Sequence, residues 1–132
     1  MVRFLFFAFL FFLLTHKKII EKDISDYCIE QFELMLKQQT HPSDTAAVII
    51  EPVLGEGGYV PAPLDFLPRL KEICQKNGIL LIFDEVQCGY GRTGKMFAFE
   101  HYGVVPDIMV LAKGIASGLP ISAVITRSEL TK

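Results

Sequence analysis

The 132-residue chain predicts an α/β fold, a three-layer α/β/α arrangement around a mostly parallel sheet, and three observations carry that expectation. Short apolar runs, Ala46–Ile50, Ile79–Phe83 and Ile108–Ala112, lie much farther apart than hairpin partners. An amphipathic segment of helical length separates the first two, and strands alternating with helices build βαβ units. Two runs also end abruptly in charge, at Asp84-Glu85 and at Lys113-Gly114, where the carboxyl ends of parallel strands open into a ligand crevice.

The run Met1–Leu14 (MVRFLFFAFLFFLL) has eleven consecutive apolar residues from Phe4 to Leu14. A spanning helix needs about 20, and no small-x-small cleavage site follows. Three readings stand: misjoined or non-coding sequence, a signal or anchor, or an apolar segment of the fold. Residues 1–23 are therefore set apart from a domain over 24–132.

Over Ser25–Gln39, Tyr27, Ile29, Phe32, Leu34, Met35 and Leu36 recur at three- and four-residue steps, which predicts a helix starting at Ser25 or Asp26. Thr40–Thr45 is a loop around Pro42. Ala46–Ile50 is a buried strand, and Leu54–Pro63, rich in glycine and proline, is a loop. Asp65 is placed to cap a helix to about Asn77, with Pro68 in its first turn and Gly78 as its stop. The strand Ile79–Phe83 completes a right-handed βαβ unit. Ser122–Thr126 is a last strand, reached by too short a connection for anything but an antiparallel return.

At 51% hydrophobic and a formal net charge of −2, the chain suits one modest domain and gives no case for nucleic acid. Cys28, Cys74 and Cys88 are odd in number and form no CxxC pair; His16, His41 and His101 are scattered. No disulfide framework and no metal site is predicted. Gly89–Lys95 (GYGRTGK) begins like a phosphate-binding P-loop, but Met96 stands where Ser or Thr must hold magnesium, and DEVQC separates the loop from its strand.

Lys113 is the strongest catalytic candidate. Apolar Val110, Leu111 and Ala112 before it and small residues after it would bury the amine and leave room for a cofactor. On local sequence alone it also fits a lysine snorkelling at a strand end. Asp84, 29 residues upstream, ends the neighbouring strand. A carboxylate and an amine delivered together suit pyridoxal phosphate, whose lysine forms a Schiff base and whose pyridine nitrogen is held by an acid.

At these residues a resemblance becomes specific. EPVLGEGG (Glu51–Gly58), LIFDEVQCGYGRTGKMFAFE (Leu81–Glu100) and PDIMVLAKGIASGLPISAV (Pro106–Val124) resemble the core of class III pyridoxal-phosphate aminotransferases, the group with the 4-aminobutyrate, ornithine and acetylornithine enzymes. The resemblance covers roughly Cys28–Lys132 and implies a central piece of a fold-type I large domain. It implies that Lys113 is catalytic and holds pyridoxal 5'-phosphate, that Asp84 pairs with the pyridinium nitrogen, and that Gln87 lies beside the cofactor's phenolic oxygen. Glu51 would lie deeper, near Asp84, and Glu56 over the cofactor as a movable partner for substrate discrimination. Glu85 would be scaffold, and Arg92 would pack at a subunit contact.

The implied reaction moves an amino group from an ω-amino acid or similar amine to a 2-oxo acid, in a homodimer, in cytoplasm or mitochondrion. Family relatives also include a phospho-lyase branch. The family's phosphate-gripping loop, ring-stacking aromatic, partner-lent threonine and C-terminal arginine have no counterparts here, which suggests a fragment or a non-catalytic remnant.

Overall fold

A computed structural model describes residues 3–6 and 21–131, with the backbone alone considered at 3–6 and 21–23. Its strands are β1 (Arg3–Phe6), β2 (Thr45–Ile50), β3 (Val53–Leu54), β4 (Val60–Pro61), β5 (Leu80–Asp84), β6 (Ile108–Leu111) and β7 (Ala123–Thr126). Its α-helices are α1 (Glu21–Gln38) and α2 (Phe66–Lys76). The main sheet has the order β1-β2-β5-β6-β7, the first four strands parallel and β7 antiparallel to β6. The short β3–β4 ribbon stands apart and, Val53 excepted, falls inside the stretch expected to be loop. Of the apolar run Met1–Leu14, the segment Arg3–Phe6 is the sheet strand β1; the rest lies outside the described residues.

Register explains the core. Val48 pairs with Leu81 and Ile50 with Phe83, so these four side chains share one face of the parallel sheet. They form one cluster with Ile24, Cys28, Phe32 and Leu36 of α1 and Phe66, Leu67, Leu70 and Cys74 of α2. Both described helices thus bury their apolar stripe on the same core. α2 stops as expected: Gly78 has φ +68°, and the Gly78 and Ile79 N–H groups bond the Gln75 and Cys74 carbonyls, a Schellman ending.

The starts of the helices differ from expectation. α1 begins at Glu21, so Ser25 lies inside it, fully buried, and is no cap. Its hydroxyl instead donates to Asp65 Oδ1 at 2.7 Å, tying α1 to the start of α2. Asp65 does sit at the N-cap position, but its carboxylate makes no cap bond and serves Ser25 and Arg69. A tertiary bond between two helices has displaced the local one.

Between β5 and β6 the chain crosses through turns and a 3₁₀ segment, Ala98–His101, rather than an α-helix. Asp107 enters β6 and anchors the corner. Its carboxylate accepts from the Leu81 N–H at 2.9 Å, from Lys71 at 2.7 Å and from Arg127 at 2.9 Å, joining β5, α2 and the residue after β7. Burial opposes its ionisation, but these donors outweigh that and hold the carboxyl below its ordinary range.

Candidate active site

Three adjacent parallel strands end side by side. β2 is followed at once by Glu51, β5 ends in Asp84, and β6 leads through Ala112 to Lys113. All three line one cavity of about 100 Å³ with Glu56 and Gln87, so the five residues singled out in the sequence meet in one place. A second cavity of about 550 Å³ shares Gln87 and Lys113 and adds Val53, Tyr59, Cys88, Arg92 and Thr93.

Hydrogen bonds order the floor of the site. Glu51 Oε2 accepts from the Gly55 N–H at 2.7 Å, and Asp84 Oδ1 accepts from the Val86 N–H at 3.0 Å. Lys113 Nζ donates to Gln87 Oε1, whose Nε2 donates to the Tyr59 hydroxyl at 3.3 Å. Lys113 itself has φ +47°, in the left-handed region. A non-glycine residue there costs about 1–3 kcal/mol, strain that concentrates at functional sites. The following residue must be small, since a Cβ on Gly114 would meet Tyr90 at 3.1 Å. The turn therefore closes tightly under an aromatic ring and swings the lysine out of line with its strand.

That swing corrects one expectation. Val110, Leu111 and Ala112 do not bury the amine; Leu111 is buried in the sheet, whereas Lys113 lies beyond the strand in a 3₁₀ segment and is exposed.

Glu85 turns the opposite way from the cavity and is fully buried. Its oxygens accept from the Ala98 N–H at 2.9 Å, the Phe99 N–H at 2.8 Å and the Cys88 thiol at 3.0 Å. It is scaffold, as the resemblance implied. Burial, and then the Glu85 carboxylate, push the Cys88 thiol pKa up.

Sequence reasoning missed Tyr59, Cys88 and Thr93 as cavity residues; Arg92, expected at a subunit contact, lines the cavity with them. Tyr59 had a readable signal, an aromatic directly behind two glycines in the loop that carries Glu56. Met96 follows a run of turns, and no helix starts there to make a P-loop.

The family model of class III aminotransferases matches residues 6–132. The chain is 58% identical over 88 residues to an acetylornithine aminotransferase of Methanocaldococcus jannaschii, covering 67% of this chain and 22% of that protein. It is 49% identical over 104 residues to the 5-aminovalerate aminotransferase of Pseudomonas putida, covering 79% and 24%. Among solved structures it is similar to an amine transaminase from an uncultivated Pseudomonas species, described in its PLP-bound internal aldimine form. The TM-score is 0.80 at 41% identity, over 85% of this chain and 25% of that one. The chain thus spans about a quarter of the length of these proteins. With the family model matching nearly its whole length, the chain belongs to the class III aminotransferases.

Proposed function

We propose that these residues form the cofactor-binding heart of a pyridoxal-phosphate-dependent aminotransferase. The substrates would be an amine of the acetylornithine or 5-aminovalerate kind and a 2-oxo acid. The observation that carries the reading is the convergence of Glu51, Asp84 and Lys113 from three adjacent strand ends on one cavity with Gln87 and Glu56.

The donor set fits the cofactor: a primary amine, a carboxylate and a carboxamide face one space. Pyridoxal phosphate, when bound, supplies an aldehyde that links to amines and a ring that withdraws electrons from the substrate's Cα. Lys113 would hold the cofactor covalently. Once released by a substrate amine, Lys113 Nζ would take the proton from the carbon that bears the amine as general base and would deliver it to the cofactor's aldehyde-derived carbon as general acid. Its left-handed backbone and its position beyond β6 give the side chain an exposed course suited to both tasks.

Asp84 would hold the ring nitrogen from the end of the neighbouring strand. Its other task, accepting from Val86, fixes the carboxylate's direction. Gln87 would orient the ring through its amide. Glu56, exposed at the rim, would meet the far end of either substrate, as one pocket must receive both an amine-ended and a dicarboxylate molecule. Glu51 holds the loop that carries Glu56 through Gly55.

The test is covalent mapping. The chain is incubated with pyridoxal phosphate, reduced with borohydride and digested for mass spectrometry, with Lys113→Ala as control. Label confined to Lys113, and lost in the variant, is expected; label scattered over the other lysines would defeat the reading.

A further inference from the structure

We propose that Tyr59 is a positioning residue for Lys113, acting through Gln87; the meaning of this for catalysis rests on the reading above. The chain of contacts is short. The Tyr59 hydroxyl accepts the Gln87 Nε2–H, and Gln87 Oε1 accepts from Lys113 Nζ. A lysine nitrogen that donates needs the amide's oxygen and not its nitrogen. Gln87 therefore has to present Oε1 to Lys113, which leaves Nε2 facing away and in need of an acceptor. Tyr59 is that acceptor.

The loop is built to put it there. Gly55 is the pivot, and it does three things. Its N–H is held by Glu51, and its carbonyl accepts from both the Gly58 and the Tyr59 N–H groups at 3.1 Å. Its missing Cβ makes room for Gln87, whose Cγ would lie 2.9 Å from one. The position of Tyr59 and that of Gln87 are thus set by the same residue.

Gly58 and Tyr59 have φ +113° and +57°, two successive residues at positive φ. Glycine takes that conformation freely, and tyrosine does not. A tyrosine that is 71% exposed gains little from burial to offset this; what the conformation secures is the bond of its N–H to Gly55 and the contact of its hydroxyl with Gln87. Tyr59 also lines the cavity that holds Lys113 and a second one bounded by Pro61, Leu64 and Tyr102.

The primary experiment needs no cofactor. The full chain is trace-labelled with acetic anhydride, and the acetylation rate of Lys113 is read by peptide mass spectrometry against the exposed Lys37 and Lys76. Tyr59→Phe keeps the ring and removes the acceptor. We expect it to raise the relative reactivity of Lys113 about threefold, the worth of one exposed hydrogen bond. Gln87→Ala should raise it at least as much, and Tyr59→Phe should add nothing in that background.

Gln87→Glu provides the rescue. Its carboxylate has no N–H to satisfy, and the Tyr59 hydroxyl can only donate to it, so Tyr59→Phe should no longer raise the reactivity of Lys113 there. The proposal is overturned if Tyr59→Phe leaves Lys113 unchanged, or if its effect is the same size with and without Gln87. Lys71, 14% exposed and paired with Asp107, should stay slow in every variant, which shows that the fold is kept.

A second arm separates this proposal from the enzyme reading. The pyridoxal phosphate concentration that half-saturates borohydride-fixed label at Lys113 should fall about threefold in Tyr59→Phe, since an amine released by Gln87 condenses with an aldehyde as readily as it is acetylated. If acetylation responds to Tyr59 but Lys113 never takes specific label, the relay stands and the enzyme reading falls. Specific label with acetylation indifferent to Tyr59 gives the reverse.

Discussion

Asp84 and Glu85 are neighbours in the chain, carry the same charged group and belong to different halves of the molecule. Asp84 ends β5, is half-buried and opens onto the cavity with Lys113. Glu85 is sealed from solvent and takes three donors from the turns that lead to β6. Successive residues of an extended chain face opposite ways, so a single step separates a carboxylate free to serve a ligand from one committed to the fold. A carboxylate with one local donor keeps most of its lone pairs for a visitor; Glu85, with three donors and no exposure, has no open side to offer.

The largest expected effect tests that division. Glu85→Ala would strand two buried N–H groups, each costing about 1–3 kcal/mol when left without an acceptor. A loss of about 3 kcal/mol or more in urea unfolding is expected. Asp84→Ala removes only the acceptor of the Val86 N–H and should cost about 1 kcal/mol. For borohydride-fixed label the order should invert among chains that remain folded, with Asp84→Ala reducing label at Lys113 more than any scaffold change of equal stability. Equal stability losses from the two variants would show that the division is wrong.

Asp107 extends the comparison to a carboxylate that stands between the two extremes, with side-chain exposure of 12% and three partners. Burial opposes its ionisation, and the Leu81 N–H, Lys71 and Arg127 more than compensate, so its native pKa lies below the ordinary 3.8. The unfolded chain then binds more protons than the native one in that range. The stabilisation is complete above about pH 5, declines as pH falls through 3.8 and is gone below the native pKa. Asp107→Asn should lower stability at pH 7 by about 2 kcal/mol and flatten the acid limb of the unfolding midpoint. An acid limb of unchanged steepness in the variant would assign the pH dependence to other groups.

How far the sequence revealed this division depends on the range of the interactions involved. Strand ends were legible because an apolar run that stops in charge is a local event, and Glu51, Asp84 and Lys113 are each such a stop. Side-chain partners at a distance were not. Ser25 reads as a helix cap, yet its hydroxyl is claimed by Asp65, 40 residues on. Asp107 gave no signal of its role, since its donors come from α2, β5 and the residue after β7. The exposure of Lys113 was hidden for a different reason. A left-handed residue followed by a glycine under Tyr90 is a backbone event, and side-chain hydropathy does not register it.

The smallest expected effect lies at Cys88, which touches both halves: its thiol donates to Glu85, and it lines the cavity with Lys113. A thiol is a weak donor, and Glu85 keeps two backbone N–H groups without it. Cys88→Ala should therefore cost about 1 kcal/mol, well below Glu85→Ala, and leave label at Lys113 unchanged. Lining a cavity would ordinarily make a cysteine reactive, but here burial first and then the Glu85 carboxylate raise its pKa, and the thiolate is the nucleophile. Iodoacetamide at a pH of about 8, near the ordinary thiol pKa, should leave Cys88 unmodified in the native chain and alkylate it once urea unfolds the protein. Rapid alkylation of the folded chain would mean that Cys88 belongs to the cavity more than to Glu85, and the boundary between the two halves would have to be drawn on its other side.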